Sequence, residues 1–94
     1  MIYQHRQFVI PEYMRQALTD WVERGYCGDF LMAVASNDLA EACARADDQN
    51  IQALPAYMAW FYNYAPAACW GSRAKALAWQ TAKQQEHLCK PTTL

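Results

Sequence analysis

The chain has 94 residues, 54% of them hydrophobic by type, and a formal net charge of −1. A chain of this length forms one domain and can bury roughly 60–65% of its unfolded surface without metal or disulfide staples. Too few basic residues are present to neutralise many phosphates, which disfavours direct nucleic-acid binding, and three glycines with four prolines supply too few turns for an all-β fold, so helices are expected.

Residues 1–9 lack helical periodicity, and Phe8, Val9 and Ile10 favour an extended N-terminal segment. The first seven residues contain no apolar run of the kind a secretory signal needs. Pro11 suits the first position of a helix over about residues 11–24, because its missing N–H is not needed there. Met14, Leu18, Trp21 and Val22 form one apolar stripe on that helix, and Gly25 is a natural stop. Asp29 is placed to cap a second helix carrying Phe30, Leu31 and Val34, which the polar run Ser36-Asn37-Asp38 ends after two turns. Asp38-Leu39-Ala40-Glu41 resembles a capping box opening a third helix. Its expected inward face is Leu39, Ala42, Cys43 and Ala46, and Glu41 and Arg45 form an i,i+4 pair.

Asp47, Asp48 and Asn50 are cap-type residues opening a fourth helix, which either starts near Leu54 or starts near Asp48 and kinks at Pro55; the kink is favoured because Ile51 and Leu54 continue the stripe of Tyr57, Trp60, Phe61 and Tyr64. That aromatic stripe is the expected centre of the core. Ala65-Pro66 closes it, and Ser72 caps a last helix of about residues 73–87 whose expected inward face is Ala74, Leu77, Ala78 and Ala82. Residues 88–94 are expected to form a frayed tail. The whole is read as one all-α domain over residues 1–94, a compact bundle of four to five short helices with residues 1–9 extended.

Chemistry-bearing patterns are sparse. Ser36 and Ser72 lie outside any G-x-S-x-G context, and the glycines never approach a phosphate-loop spacing. Cys27, Cys43, Cys69 and Cys89 form no C-x-x-C pair, and only His87-x-Cys89 offers a local zinc pair, so no metal or cofactor is expected. The cysteines read as reduced residues of a cytosolic protein, with Cys43 as a small buried hydrophobe. No run is long enough to span a bilayer.

Charge is uneven along the chain. Residues 28–52 carry Asp29, Asp38, Glu41, Asp47 and Asp48 against Arg45, whereas residues 53–94 carry Arg73, Lys75, Lys83 and Lys90 against Glu86. The acidic middle can steer a charged partner, although solvated helix faces are the commoner origin of such an asymmetry. Tyr62 and Trp79 fall off the inward faces of their helices and Trp70 stands in a connection; all three are candidate anchors for a protein partner, or else edge-closing contacts. The candidate partner-binding residues are therefore Asp38, Glu41, Asp47, Asp48 and Trp79.

The order Gly28-Asp29-Phe30-Leu31-Met32-Ala33-Val34, Asn37-Asp38-Leu39, Arg45-Ala46-Asp47, Asn50, Trp60-Phe61-Tyr62-Asn63-Tyr64-Ala65-Pro66 and Trp70-Gly71-Ser72 covers about residues 8–82. It resembles short, uncharacterised accessory proteins of bacteriophages and prophages of Gram-negative bacteria. The resemblance implies a phage accessory product acting in the bacterial cytoplasm and brings no catalytic residues. The expected function is non-enzymatic binding of a host or phage protein, with inhibition of a defence system such as CRISPR–Cas as one outcome. The alternatives are a small helix-turn-helix DNA regulator, with Arg73, Lys75 and Lys83 as the only basic candidates, and a purely structural homo-oligomer.

Overall fold

The extended N-terminal segment is a hairpin. In the computed structural model, which describes residues 3–89 and their side chains as far as Glu86, β1 (Tyr3–His5) pairs antiparallel with β2 (Phe8–Ile10) in the register Tyr3↔Ile10. Arg6 opens the two-residue turn at φ 57°, and the Gln4 side-chain amide donates to its carbonyl at 2.7 Å. Strand alternation turns Ile10 fully into the core and Val9 outward. Pro11 precedes a short 3-10 turn, Glu12–Met14, so α1 (Arg15–Arg24) begins one turn later than the sequence pattern suggests. Leu18 and Trp21 are buried, and Gly25 at φ 67° donates its N–H to the Trp21 carbonyl at 3.0 Å, closing the helix with a left-handed cap.

α2 (Asp29–Ala35) buries Leu31, Ala33, Val34 and Ala35. Gly28, not Asp29, holds the cap position; Asp29 is the first helical residue, and its carboxylate lies 3.4 Å from Arg45 Nη1. The helix ends in a Schellman motif: the Asp38 N–H donates to the Ala33 carbonyl and the Asn37 N–H to that of Val34, with Asn37 at φ 61°. α3 (Leu39–Arg45) follows, capped by the Asp38 carboxylate, which accepts the Glu41 N–H at 3.1 Å. Its inward face is narrower than expected. Only Ala42 is buried, Leu39 is 69% exposed and Cys43 is exposed. α3 makes its main contacts with α2, and a seven-residue helix resting on one neighbour can hide only one line of side chains.

The expected fourth helix is two. α4 (Asp48–Ile51) is a single turn capped by Asp47, and α5 (Leu54–Tyr64) starts afresh with Pro55 in its first turn. A break replaces the kink because proline costs no hydrogen bond in a first turn, and Ile51 faces outward instead of extending the stripe. Tyr57 and Phe61 are completely buried. Phe61 meets Trp60 edge-on at 5.2 Å and Trp70 at 5.9 Å. Tyr64, expected in the core, is 66% exposed and instead stacks edge-on upon Tyr3 of the hairpin at 5.5 Å.

α6 (Arg73–Cys89) is capped by Ser72, whose Oγ accepts the Lys75 N–H at 3.1 Å. It faces the core with Ala76, flanked by half-buried Trp79, Gln80 and Lys83, while Ala74, Leu77, Ala78 and Ala82 are exposed. The expected face is therefore rotated. The Trp79 indole N–H donates to the Trp21 carbonyl at 2.9 Å, and Gly25 lets α1 close upon α6: a Cβ there would lie 2.9 Å from Lys83 Cβ. These contacts outweigh the small transfer energy of three alanines. The backbone of residues 88–89 ends α6, and the remainder of the expected frayed tail and the His87-x-Cys89 side chains lie outside the described residues. The result is a mostly helical bundle with an N-terminal hairpin.

Candidate partner-binding site

The acidic residues of the middle segment have unequal freedom. Asp47 is the most engaged: it caps α4 by accepting the Asn50 N–H at 2.7 Å, and it also accepts the Tyr13 hydroxyl at 2.5 Å. Those two bonds, the Tyr13 one foremost, hold its carboxyl below the usual carboxylate range, while the same bond raises the Tyr13 phenol above its ordinary value. Asp48 is exposed on the single-turn α4. Asp38 spends one oxygen, Oδ1, on its cap. Glu41 accepts Arg45 Nε–H at 2.6 Å, which together with the charges of Glu41 and Asp29 holds the guanidinium above its usual range. Trp79 makes the edge-closing contact, one of its two expected readings: it is half-buried, its indole N–H donates to the Trp21 carbonyl, and Lys83 Nζ lies 4.8 Å from its ring centroid. Tyr62, in contrast, is 78% exposed.

The fold brings two of the five candidates together. Asp38 and Glu41 line a cleft of about 200 Å³ with Asp29, Ser36, Arg45 and Arg73. Asp47, Asp48 and Trp79 are not in that lining. Beside the cleft, the Gly71 N–H donates to the Ala35 carbonyl at 2.8 Å, which ties the connection before α6 to the end of α2. An apolar groove of about 50 Å³ adjoins it, lined by Val34, Leu39, Ala42, Leu54 and Met58. The two depressions share Ala33 and Asp38. Helical spacing sets Tyr62 four residues beyond Met58, on the same line of α5.

Sequence reasoning missed Ser36, Arg73 and the groove as parts of this surface. Ser36 reads as helix punctuation, and Arg73 as one of a few basic residues. No local signal links them, since α2 and α6 are brought together by tertiary contacts, the Gly71–Ala35 bond among them. Among the described residues no group of three or more His, Cys, Asp or Glu is placed to hold a metal ion. No described helix is long and apolar enough to cross a membrane. Compared with known proteins, the chain matches no family model, no curated protein and no solved structure.

Proposed function

We propose that this is a non-enzymatic accessory protein of phage or prophage origin that binds a host or phage protein in the bacterial cytoplasm, and that this binding inhibits a host defence system such as CRISPR–Cas. The observation that carries the binding role is the wall formed by Asp38 and Glu41 beside an apolar groove with Leu39 exposed on its rim. A hydrophobic anchor point with charged neighbours is the arrangement of many protein-binding surfaces. The phage assignment rests on the order of motifs over residues 8–82.

The test is an affinity pull-down from a bacterial host, with mass spectrometry of the eluate. A variant combining Asp38→Asn, Glu41→Lys and Asp48→Lys should lose the captured protein, and more so at low salt, because rim charges act through long-range attraction. Asparagine keeps the α3 cap, and a cooperative thermal unfolding transition of the variant checks that the two charge reversals leave it folded. Reversal of Lys75 should leave capture intact. Capture unchanged in the acidic variant rejects this surface, and tight duplex-DNA binding by the wild type would favour the regulator.

A further inference from the structure

Residues 38–52, which make up α3, α4 and their connections, are held to the body of the fold by very little apolar surface. Only Ala42 and Asn50 are buried in this stretch. Among the described residues of the hydrophobic core and those packed against it, Ala42 alone comes from here, while Leu39 and Ile51 are exposed. Apolar burial is the main force that fixes an element upon a core, and one alanine supplies little of it.

What fastens the stretch is polar. The Tyr13 hydroxyl donates to Asp47 Oδ2 and the Tyr57 hydroxyl to Asn50 Oδ1, each at 2.5 Å. Arg45 Nη1 also lies 3.4 Å from the Asp29 carboxylate, but both partners are exposed, and such an ion pair contributes little. Both hydroxyl bonds act at α4, which only Ala46 and Asp47 separate from α3, so the two short helices are fastened together. The stretch is bounded by turns. Asn37 before it is left-handed at φ 61°, and exposed Gln52 precedes fully buried Ala53. Leu39 and Ala42 form one side of the apolar groove, whose other side is Val34 of α2 with Leu54 and Met58 of α5.

We propose that residues 38–52 open as one flap while the hairpin, α1, α2, α5 and α6 stay folded, uncovering the side of the groove formed by Val34, Leu54 and Met58. Segments with few buried apolar contacts occupy the low-stability end of a fold and open without global unfolding. Asn37 and Gln52, at the ends of helices, absorb the backbone rotation. Asp38, Glu41 and Asp48 ride on the flap, so its opening displaces the surface proposed for partner capture; the opening itself does not depend on that assignment.

The test is native-state hydrogen exchange of the full-length chain, followed by NMR at increasing sub-denaturing guanidinium. The flap probes are the Ala42 and Ala46 amides of α3 and the Ile51 amide of α4, each hydrogen-bonded within the stretch. The reference probes are the amides of Trp21 in α1 and Phe61 in α5. The three flap amides should share one protection factor, on the order of a hundredfold below those of Trp21 and Phe61, with little dependence on guanidinium. Tyr13→Phe, which removes a hydrogen bond to a carboxylate, should accelerate all three about tenfold or more. Flap amides that match Trp21 and Phe61 in protection and guanidinium dependence in the wild type overturn the proposal. A Tyr13→Phe effect confined to Ile51, or none, also overturns it, because α3 and α4 would then not open as one unit fastened at Tyr13.

Discussion

Two buried hydrogen bonds show how single residues hold this core. The Trp21 indole donates to the Cys69 carbonyl at 3.1 Å, and the Tyr57 hydroxyl donates to Asn50 Oδ1 at 2.5 Å, so large aromatics are buried without leaving their polar atoms unpaired. Tyr57→Phe leaves the Asn50 oxygen, in a residue only 5% exposed, without that donor, and should cost about 1–3 kcal/mol in chemical denaturation; a change within error would show that water replaces the hydroxyl. The cysteines divide in the same residue-level way. Burial pushes the Cys69 thiol up to about 11, and burial with the Asp29 charge pushes Cys27 up to about 12, whereas Cys43 is exposed. Because the thiolate is the reactive form, a short alkylation pulse on the native protein followed by peptide mass spectrometry should label Cys43 well ahead of Cys27 and Cys69. Equal labelling of Cys69 would place it outside the core.

At the scale of elements, the junctions matter more than the helices. α1 and α6 approach so closely at Gly25 that its left-handed φ of 67° and its missing side chain are both used. Gly25→Ala adds the left-handed penalty of about 1–2 kcal/mol to a clash with the Gln80 backbone, and should lower the melting temperature by several degrees. The two faces of α6 give a paired test. Ala76→Leu overfills a position with no exposure and should cost about 1–3 kcal/mol, while Leu77→Ser on the exposed side should stay within about 0.5 kcal/mol of wild type. The opposite ranking in thermal unfolding would restore the face that alanine periodicity suggests.

Across the whole molecule, the bond from Tyr13 to Asp47 joins the N-terminal part of the chain to α4, 34 residues away, and it makes stability depend on pH at both ends. The Asp47 carboxyl is held below its ordinary value of 3.8, so its contribution is present above that value and is lost as pH falls through the depressed one. The Tyr13 phenol is raised above 10.0, so its contribution is present below that value and is lost as pH rises through the raised one. Tyr57, raised by burial, adds to the alkaline loss. Melting temperatures of wild type and Tyr13→Phe should therefore differ most near neutrality and converge in acid. A gap that persists in strong acid would assign the difference to packing rather than to the carboxylate.

Local chemistry alone determined the helical class, the stop at Gly25, the caps at Asp38, Asp47 and Ser72, and the burial of Tyr57 and Phe61. Each depends on neighbours within a few residues, where turn geometry and hydrogen-bonding capacity act directly. Tertiary structure decided which side of a weakly amphipathic helix turns inward. On α3 and α6 the alanines exert little hydrophobic pull in either direction, so the Trp79–Trp21 bond and the Gly25 contact set the rotation of α6, and α3, packed mainly on α2, left Leu39 and Cys43 outside. The cleft is likewise a product of tertiary structure, because Asp29, Ser36, Asp38 and Arg73 belong to three elements. The backbone bond between Gly71 and Ala35 and the packing of α2 against α3 and α6 bring them to one place, and contacts between residues so far apart leave no periodic trace along the chain.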